Sequence, residues 1–336
     1  MLNTKYALDI VLFSDCNLNC LHCFQTHIKN DIDKQYLNDL PQIIHEHLLE
    51  KIKTNPNINE ITLSLRGGEI FQDRFSENQL EQYLNIFKFV IHNTHEYYPH
   101  IKFNLHCMSN GIFTKKNRII DFLKHNNISI SLSYDGYGRF NTNILSKFKE
   151  NCLELKPFIK DISITLTKPS VEQYLSSDEL LFFTNHNLLL DFNYYIPTKN
   201  ADDLVISDEI LYTFYNYLLE KNIFNCKYLI DLFENLLTNK KIYPSCNCQN
   251  TEVLVNGKYY TNCTLNSSLS NIQIKNKALT KRQCLFCENY NNCYGYCWLS
   301  ILYDKYIISE CPHKKLLTQI KTNPIYINNY LKWKTQ

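Results

Sequence analysis

Strand-like and helix-like segments alternate through the first two hundred residues of this chain. Short apolar runs with strand character lie at 6–13, 60–65, 101–108, 128–133, 159–166 and 188–196. Apolar residues recur at helical spacing in 33–53, 77–95, 115–125, 142–154 and 171–186. Regular β-α repeats imply a parallel sheet covered by helices. Six repeats are too few to close an eight-stranded barrel, so we predict an α/β fold built on a partial, TIM-like (β/α)6 barrel.

The rest of the chain predicts a bridge and a second, smaller domain. We place the barrel at 1–200, a helical bridge at 201–242 and a cysteine-rich domain at 243–336. The bridge is predicted to contain helices at 207–221 and 226–240, and the second domain to end in a helix at 324–334 that docks on it. A chain of 336 residues is long enough to give both domains a core.

Composition excludes several classes of function. Hydrophobic residues make up 44% and charged residues 20% of the chain, as in ordinary folded proteins. A net charge of +2 offers no strong attraction for nucleic acid or an anionic membrane. No apolar run approaches the roughly 18 residues that span a bilayer, and the N-terminus leads directly into a strand. We therefore expect a cytoplasmic protein without a signal peptide.

The fourteen cysteines are unevenly distributed. Three lie at 16–23 and eight at 246–311, whereas Cys107, Cys152 and Cys226 stand alone. Because the cytosol keeps thiols reduced, metal or cluster binding is a better interpretation of the two groups than disulfides. An isolated cysteine is usually a small buried hydrophobic residue. Cys107, near the end of a predicted strand, is also a candidate catalytic hydrogen donor.

The first group has C-x3-C-x2-C spacing and directly follows the first predicted strand. Cys16, Cys20 and Cys23 could hold three irons of a cubane cluster and leave the fourth iron open to a substrate. The alternative is a zinc site completed by His22 or a distant ligand. Zinc sites prefer C-x2-C pairs and four protein ligands, so we favour the cluster and expect His22 to pack beside it.

These residues resemble the radical S-adenosylmethionine (SAM) enzymes. The resemblance comprises Cys16, Cys20 and Cys23 with Phe24 beside them, and then Gly67-Gly68-Glu69 after the second strand. In that family the Gly-Gly-Glu sequence contacts the amino group of SAM, which implies that role for Gly67, Gly68 and Glu69 here. Ile70 follows Glu69 here, at a position where members of that family often have a proline. The resemblance also implies that Ser109, Asn110, Ser133 and Asp135, at the ends of later strands, approach SAM.

The second group of cysteines resembles the SPASM extension, which follows the barrel in many peptide-modifying members of this family. The matching residues are Cys284, Cys287, Cys293, Cys297 and Cys311, preceded by Cys246, Cys248 and Cys263. The five residues between Gly257 and Cys263 exceed the usual four. The resemblance implies one auxiliary cluster on Cys284, Cys287, Cys293 and Cys311, and another on Cys246, Cys248, Cys263 and Cys297. Whether Cys246 and Cys248 both bind stays open, and structural zinc knuckles are the alternative.

The combined resemblance implies a maturase that uses SAM and three 4Fe–4S clusters. Such an enzyme forms a 5′-deoxyadenosyl radical and crosslinks or oxidises a residue of a ribosomally made peptide or a protein. An external flavodoxin or ferredoxin would supply electrons. Alternatives are a formylglycine-forming, anaerobic sulfatase-maturing enzyme and a peptide epimerase with a thiol donor such as Cys107. A ferredoxin-like carrier or a zinc-knuckle module is a further alternative, but neither needs Gly67-Gly68-Glu69.

The last predicted strand offers candidate substrate contacts. Asp191, Asn193 and Tyr195 alternate along it, so their side chains share one face. That face is predicted to be the barrel lumen, although ordinary strand alternation explains the pattern equally well.

Overall fold

The structure is a computed structural model that describes residues 4–20, 22–23, 34–136, 142–196, 202–238, 250–261, 271–281, 284–289, 293 and 311–336. Its strands are β1 (Lys5–Val11), β2 (Glu60–Arg66), β3 (Lys102–Ser109), β4 (Ile128–Ser133), β5 (Ile159–Leu166), β6 (Leu190–Tyr194), β7 (Thr251–Val255) and β8 (Lys258–Thr261). They form one eight-stranded sheet in the order β6-β5-β4-β3-β2-β1-β7-β8.

The helices of the barrel are α1 (Lys34–Thr54), α2 (Glu77–Tyr97), α3 (Lys116–His125), α4 (Thr142–Leu155), α5 (Lys168–Ser176) and α6 (Glu179–Asn185). Later helices are α7 (Asp208–Glu220), α8 (Lys227–Thr238), α9 (Asn271–Lys281), α10 (Pro312–Thr322) and α11 (Pro324–Lys334). Short 3-10 turns lie at Lys156–Phe158, Asp202–Leu204 and Cys284–Phe286. Among the described helices, none is both long enough and apolar enough to cross a membrane.

The first six strands are parallel and run in sequence order across the sheet, with helices between them. The sheet is curled into a half-barrel. The predicted partial barrel is therefore confirmed. In parallel sheets of this kind the carboxyl ends of the strands carry the functional site, because the loops that follow the strands converge there.

The two faces of the sheet differ in chemistry. Ile10, Leu65, Cys107 and Ile130 are successive partners across four strands, and all are fully buried in the core. The alternate row is polar and contains Asp9, Ser64, His106 and Ser129. Strand alternation therefore directs the apolar row to the helical layer and the polar row to the inner face of the half-barrel.

His106 illustrates how enclosed the polar row is. Its Nδ1 lies 3.0 Å from the Ser129 hydroxyl. Burial lowers the pKa of His106 to about 3, and the positive charges of Lys160 and Arg66 act in the same direction. The imidazole is therefore neutral at physiological pH.

The segment predicted as one helix at 171–186 is instead divided into α5 and α6. Helix α5 begins earlier because Thr167 and Ser170 form a capping box. Ser177 then adopts an extended conformation, and its carbonyl accepts a hydrogen bond of 3.0 Å from the Tyr217 hydroxyl of α7. This tertiary contact stabilises the break, which the helical spacing of apolar residues does not reveal.

The structure has a terminal helix at 324–334, and its described contacts join it to α10, where Gln319 Nε2 donates to the Tyr326 hydroxyl at 3.2 Å, and to the bridge. The Tyr330 ring of α11 stacks on Phe233 of α8 at 4.5 Å, and its hydroxyl donates a 2.7 Å hydrogen bond to Glu234. The Trp333 ring lies 6.1 Å from the Phe224 ring. The apolar side chains of this tail therefore complete the core around α8.

Strands β7 and β8 form a hairpin that continues the barrel sheet. Residues 251–255 pair in parallel with residues 7–11 of β1, and β8 returns antiparallel. Asn256 and Gly257, at the turn, both have positive φ, as a two-residue type I′ hairpin requires. Part of the predicted second domain is thus an edge of the barrel sheet.

A partly buried carboxylate connects this hairpin to α1. Glu252 accepts hydrogen bonds from the Tyr6 hydroxyl at 2.7 Å, from His47 Nε2 at 2.7 Å and from Lys51 Nζ at 2.5 Å. The His47 ring also stacks on Tyr259 of β8 at 3.5 Å. Burial raises the pKa of Glu252, but the hydrogen bonds from His47, Lys51 and Tyr6 outweigh it and lower the pKa to about 2.

We expect Glu252→Gln to lower the free energy of unfolding by about 2 kcal/mol at pH 7, because a partly buried charged acceptor with three donors is lost. A carboxylate with a depressed pKa contributes stability above its unfolded pKa of 4.5, and loses it as the pH falls towards 2. The difference in the free energy of unfolding between the variant and the wild type should therefore become smaller below about pH 5. Urea unfolding followed by circular dichroism at several pH values measures this.

The matched control is Glu60→Gln. Glu60 pairs with Lys5, whose side chain is 69% exposed, and exposed ion pairs contribute little. We expect that variant to unfold within about 0.5 kcal/mol of the wild type at every pH. If Glu252→Gln lowered the free energy of unfolding by the same amount down to pH 3, the depressed pKa assigned to Glu252 would be wrong.

Candidate functional site

The three cysteines of the first group lie on the loop that follows β1. Cys20 is buried, whereas Cys16 and Cys23 are half-buried. The loop turns locally: the Cys23 amide donates to the Cys20 carbonyl at 3.1 Å, and the Leu18 amide lies 3.4 Å from Cys16 Sγ. Because β1 ends at this loop, all three thiols are at the functional edge of the sheet.

The Gly-Gly-Glu turn at the end of β2 packs directly on this loop. The Gly68 amide donates to the Phe13 carbonyl at 2.7 Å, and the Glu69 amide donates to the Asp15 carbonyl at 2.9 Å. A Cβ atom at Gly68 would lie only 1.9 Å from the Asp15 carbonyl oxygen. Glycine is therefore required at this position to allow the close approach of the two backbones.

The Glu69 carboxylate is buried in a set of donors. Its Oε1 accepts from the Ser109 hydroxyl at 2.8 Å and from the Phe71 amide at 2.9 Å. Its Oε2 accepts from the Asn110 amide at 2.6 Å. Glu69 is only 1% exposed, so these hydrogen bonds compensate the cost of burying its charge. The sequence predicted that Ser109 and Asn110 approach SAM, but it gave no indication of their hydrogen bonds to Glu69 or of the one from the Phe71 amide.

Asn110 connects the end of β3 to the cysteine loop. Its Nδ2 donates to Asn17 Oδ1 at 2.7 Å and lies 3.8 Å from Cys16 Sγ. Asn17 Nδ2 in turn donates to the Ile112 carbonyl at 3.0 Å. The structure therefore brings Cys16, Glu69 and Asn110 together at one site.

Asp135, at the end of β4, holds the cysteine loop from the other side. Its Oδ2 lies 3.0 Å from His22 Nε2, and its Oδ1 accepts from the Thr165 amide at 2.7 Å. The carboxylate is 4% exposed. Ser133, also predicted to approach SAM, is half-buried and pairs with Ser163 of β5. Asp135 thus joins β5 to the loop through His22, as expected for a histidine that packs beside the cysteines.

The chemistry of these donors fits an iron–sulfur cluster with SAM beside it. One short loop supplies three thiols, which suit iron, next to a buried carboxylate suited to an ammonium group. Among the residues that the structure describes, no three His, Cys, Asp or Glu side chains are grouped closely enough to hold a metal ion. Phe24, predicted to lie beside Cys23, is outside the described residues.

The structure describes four of the eight cysteines in the second group. Cys284, Cys287, Cys293 and Cys311 are half-buried, and the Cys287 amide donates to the Cys284 carbonyl at 3.0 Å. The other four predicted ligands lie outside the described residues: Cys246, Cys248, Cys263 and Cys297.

An aromatic cluster lies beside this group. Burial raises the pKa of Tyr228 well above its ordinary value, and Tyr194, Cys293 and Cys311 act in the same direction. That hydroxyl lies 2.5 Å from His313 Nδ1. The cluster therefore connects the end of β6, through α8, to the start of α10.

Cys107 lies in β3 two residues before Ser109, whose hydroxyl donates to Glu69. It belongs to the fully buried apolar row that packs on the helices, and burial together with Glu69 raises the pKa of its thiol. Cys152 and Cys226 are also fully buried. All three isolated cysteines are thus buried, as small hydrophobic residues are, and the role of Cys107 as hydrogen donor stays a prediction.

Two of the candidate contacts, Asp191 and Asn193, alternate along β6 and therefore share one face, on which Asp191 pairs with Ser163 of β5. Asp191 lies 3.6 Å from Lys227 Nζ, and Asn193 Nδ2 donates to the Ser163 hydroxyl at 3.0 Å. Tyr195 is buried just beyond the strand.

Comparison with known proteins identifies similar enzymes, although no protein-family model matches the chain. The chain is 24% identical to the radical SAM cyclopropyl synthase TigE of Paramaledivibacter caminithermalis, over 87% of this chain and 67% of TigE. Its fold is similar to that of anSMEcpe with bound AdoMet, with a TM-score of 0.65, 16% identity, and coverage of 97% of this chain and 99% of anSMEcpe. The anSMEcpe protein has also been solved with AdoMet and a Kp18Cys peptide.

A second structural neighbour is SuiB of Streptococcus suis. It has a TM-score of 0.50 and 15% identity, over 92% of this chain and 75% of SuiB. The sequence similarity to TigE and the shared fold agree with the residues gathered at the carboxyl ends of the strands. In sequence the chain is therefore similar to a radical SAM enzyme, and in fold it is similar to anSMEcpe and SuiB.

Proposed function

We propose that the protein is a maturase that abstracts hydrogen from a ribosomally made peptide or a protein side chain and so forms a crosslink or an oxidised residue. The observation that carries the proposal is the Glu69 carboxylate, held by Ser109, Asn110 and Phe71 against the loop of Cys16. This arrangement offers an anionic site for an ammonium group directly beside a three-thiol loop.

In this proposal Cys16, Cys20 and Cys23 hold a 4Fe–4S cluster, and Glu69 binds the amino group of SAM. When bound, the cluster and SAM supply a 5′-deoxyadenosyl radical that removes a hydrogen atom from a substrate carbon. Gly67 and Gly68 permit the close backbone approach, and Phe24, Ser109, Asn110, Ser133 and Asp135 line or support the SAM site. Asp135 acts through His22, whose position it fixes.

We further propose two auxiliary 4Fe–4S clusters in the region 243–336, following the barrel at 1–200 and the bridge at 201–242. One would bind Cys284, Cys287, Cys293 and Cys311, and the other Cys246, Cys248, Cys263 and Cys297. The first set is supported by the short turn that joins Cys284 to Cys287 and by Cys293, which packs against the same buried core as Tyr228. An external flavodoxin or ferredoxin is the proposed reductant.

A peptide substrate is supported by the neighbours and by the inner face of the barrel. A peptide is bound in the anSMEcpe structure. The inner face carries charged pairs of Asp9 with Arg66 and of Asp191 with Lys227, which suit the polar groups of an extended peptide. The similarity to a cyclopropyl synthase favours carbon–carbon bond formation as the reaction. A product that lacks two hydrogen atoms by mass spectrometry would be the expected result with the native peptide.

Iron content and SAM cleavage test the proposal. After anaerobic reconstitution we expect about twelve irons and as many sulfides per chain, as three cubanes require. Changing Cys16, Cys20 and Cys23 together to Ala should remove about four irons and abolish release of 5′-deoxyadenosine with dithionite and SAM. Cys152→Ala is the matched control, since this core thiol should leave the iron content unchanged. Zinc without sulfide, or continued release from the triple variant, would refute the proposal.

A further inference from the structure

The loop between β3 and α3 is held in place by a residue of α4. This loop carries Ser109 and Asn110, which donate to the buried carboxylate of the Gly-Gly-Glu turn. On α4, Asn151 is fully buried, and its Nδ2 donates to the Gly111 carbonyl at 2.8 Å and to the Phe113 carbonyl at 3.0 Å. One amide group therefore holds the loop at two points directly after Asn110.

The same face of α4 also packs against the backbone of this loop. Gly111 has a φ of +72°, and a Cβ atom there would lie 3.0 Å from the Phe148 ring. Phe148 and Asn151 are three residues apart on α4 and so lie on one face of the helix. Both carbonyls that Asn151 binds belong to buried residues, and a buried carbonyl without a donor costs free energy. The loop therefore depends on this amide for its conformation.

The polar side chain of Asn151 also lowers the stability of the layer in which it lies. Among the described residues its Oδ1 is buried and has no hydrogen-bond partner. Phe148, Cys152 and Leu155 of the same helix are fully buried and apolar. An unpaired buried acceptor is destabilising, and sequences that contain such a feature commonly do so at functional sites.

Hydrogen bonds within the loop connect the contacts of α4 to the site. The Gly111 amide donates to Ser109 Oγ at 3.0 Å, and the Ile112 amide donates to Asn110 Oδ1 at 2.9 Å. Ser109 Oγ and the Asn110 amide in turn donate to the two carboxylate oxygens of Glu69. Displacement of the loop therefore displaces both of these donors from the carboxylate.

We propose that Asn151 is a positioning residue for SAM binding. Its side-chain hydrogen bonds reach the loop, and the loop holds Glu69 through Ser109 and Asn110. The inference rests on the proposed function, because it takes Glu69 as the contact for the amino group of SAM. Asn151 itself touches no reacting group and acts through the position of the loop.

The kinetics of SAM cleavage in Asn151→Leu test this role. The substitution removes both donors and keeps a side chain of similar shape. With dithionite as reductant, the KM for SAM should rise about fivefold, because Glu69 is no longer held where it meets the ammonium group. The kcat should change less than about twofold, since the ammonium contact is made equally in the ground state and the transition state. Assays well below the melting temperature of every variant keep loss of stability out of the comparison.

Asn225→Leu is the matched control. Asn225 is 6% exposed, its Nδ2 donates to the Leu188 carbonyl at 2.5 Å, and its Oδ1 accepts from the Thr184 hydroxyl. This variant also loses a buried amide that binds a backbone carbonyl, but near the amino end of β6, so its KM for SAM should stay within about twofold of the wild type. Equal rises of KM in both variants would indicate general loosening of the barrel and overturn the proposal. An unchanged KM in Asn151→Leu would overturn it too.

Hydrogen–deuterium exchange of the full chain without SAM gives a readout that does not depend on activity. In Asn151→Leu the amides of residues 110–112 should exchange roughly tenfold faster than in the wild type, because the loop opens locally. The amides of β1 should keep their wild-type exchange, and Asn225→Leu should leave the exchange of the loop unchanged. Wild-type exchange of the loop in Asn151→Leu would contradict the role assigned to Asn151.

Two further comparisons keep the outcomes separate. Asn151→Ser keeps one shorter donor and should show both effects at smaller size, so it replaces Asn151→Leu if that variant does not fold; wild-type KM and loop exchange in Asn151→Ser would then overturn the proposal. If the wild type cleaves no SAM even with dithionite, the proposed function fails, whereas the exchange measurement still tests whether Asn151 holds the loop.

Discussion

A Glu69→Gln variant is expected to bind SAM roughly ten- to hundredfold more weakly than the wild-type protein, because the charge that faces the ammonium group is lost. The substitution preserves shape, but only one terminal atom of Gln accepts hydrogen bonds. Oε1 of Glu69 serves Ser109 and Phe71, and Oε2 serves the Asn110 amide, so the NH2 group must point at a backbone donor in either orientation. Equilibrium dialysis measures the affinity for SAM, and release of 5′-deoxyadenosine measures SAM cleavage.

Glu179→Gln is the matched control for this prediction. Glu179 accepts a 2.7 Å hydrogen bond from the Tyr134 hydroxyl, so the control also loses a carboxylate that has a buried partner. Among the described residues its hydrogen bond is with Tyr134 and not with Ser109, Asn110 or Phe71, so this variant should bind SAM within about twofold of the wild type. If Glu69→Gln bound SAM with wild-type affinity, the proposed contact between Glu69 and the ammonium group would be refuted. Equal losses of SAM affinity in Glu69→Gln and Glu179→Gln would indicate general destabilisation.

The barrel could be predicted from the sequence because its signals are local. The strands end where turn residues begin, and the helices have apolar residues at helical spacing, so most boundaries agree within two residues. The same holds for Gly67, Gly68 and Glu69, which adjoin β2 in the chain. The division of α5 from α6 was missed because the Ser177 carbonyl is held by Tyr217, some forty residues later.

The features that the sequence did not reveal come from contacts distant in the chain. Pairing of β7 with β1 joins segments about 240 residues apart, and the residues of a short strand such as 251–255 do not indicate which strand it pairs with. The link between Asp135 and His22 likewise crosses the sheet. The burial of Cys107 did have a local signal. Cys107 lies two residues from the apolar Leu105 and so on the same face of β3, where it pairs with Ile130, whereas His106 lies on the polar face.

A Gly68→Ala variant is expected to lose at least about a hundredfold in SAM cleavage, because displacement of reacting groups by about 1 Å has effects of this size. The added methyl group would lie 1.9 Å from the Asp15 carbonyl oxygen and 2.5 Å from that of Ser14. Both contacts are with backbone, so no side chain can rotate away, and the loop that carries Cys16 must move from the Gly-Gly-Glu turn. Such overpacking also costs about 1–3 kcal/mol of stability.

Gly67→Ala provides the graded comparison for this prediction. Its added methyl group would lie 2.9 Å from the Phe13 carbonyl oxygen, a milder contact that a shift of a few tenths of an ångström relieves. We therefore expect Gly68→Ala to lose more SAM cleavage, and to retain less iron at the first cluster, than Gly67→Ala. Melting temperatures measured without SAM separate loop displacement from unfolding of the barrel. If Gly68→Ala kept wild-type cleavage and iron content, close packing of the turn on the cysteine loop would not be what positions SAM, and the role assigned to this turn would have to be abandoned.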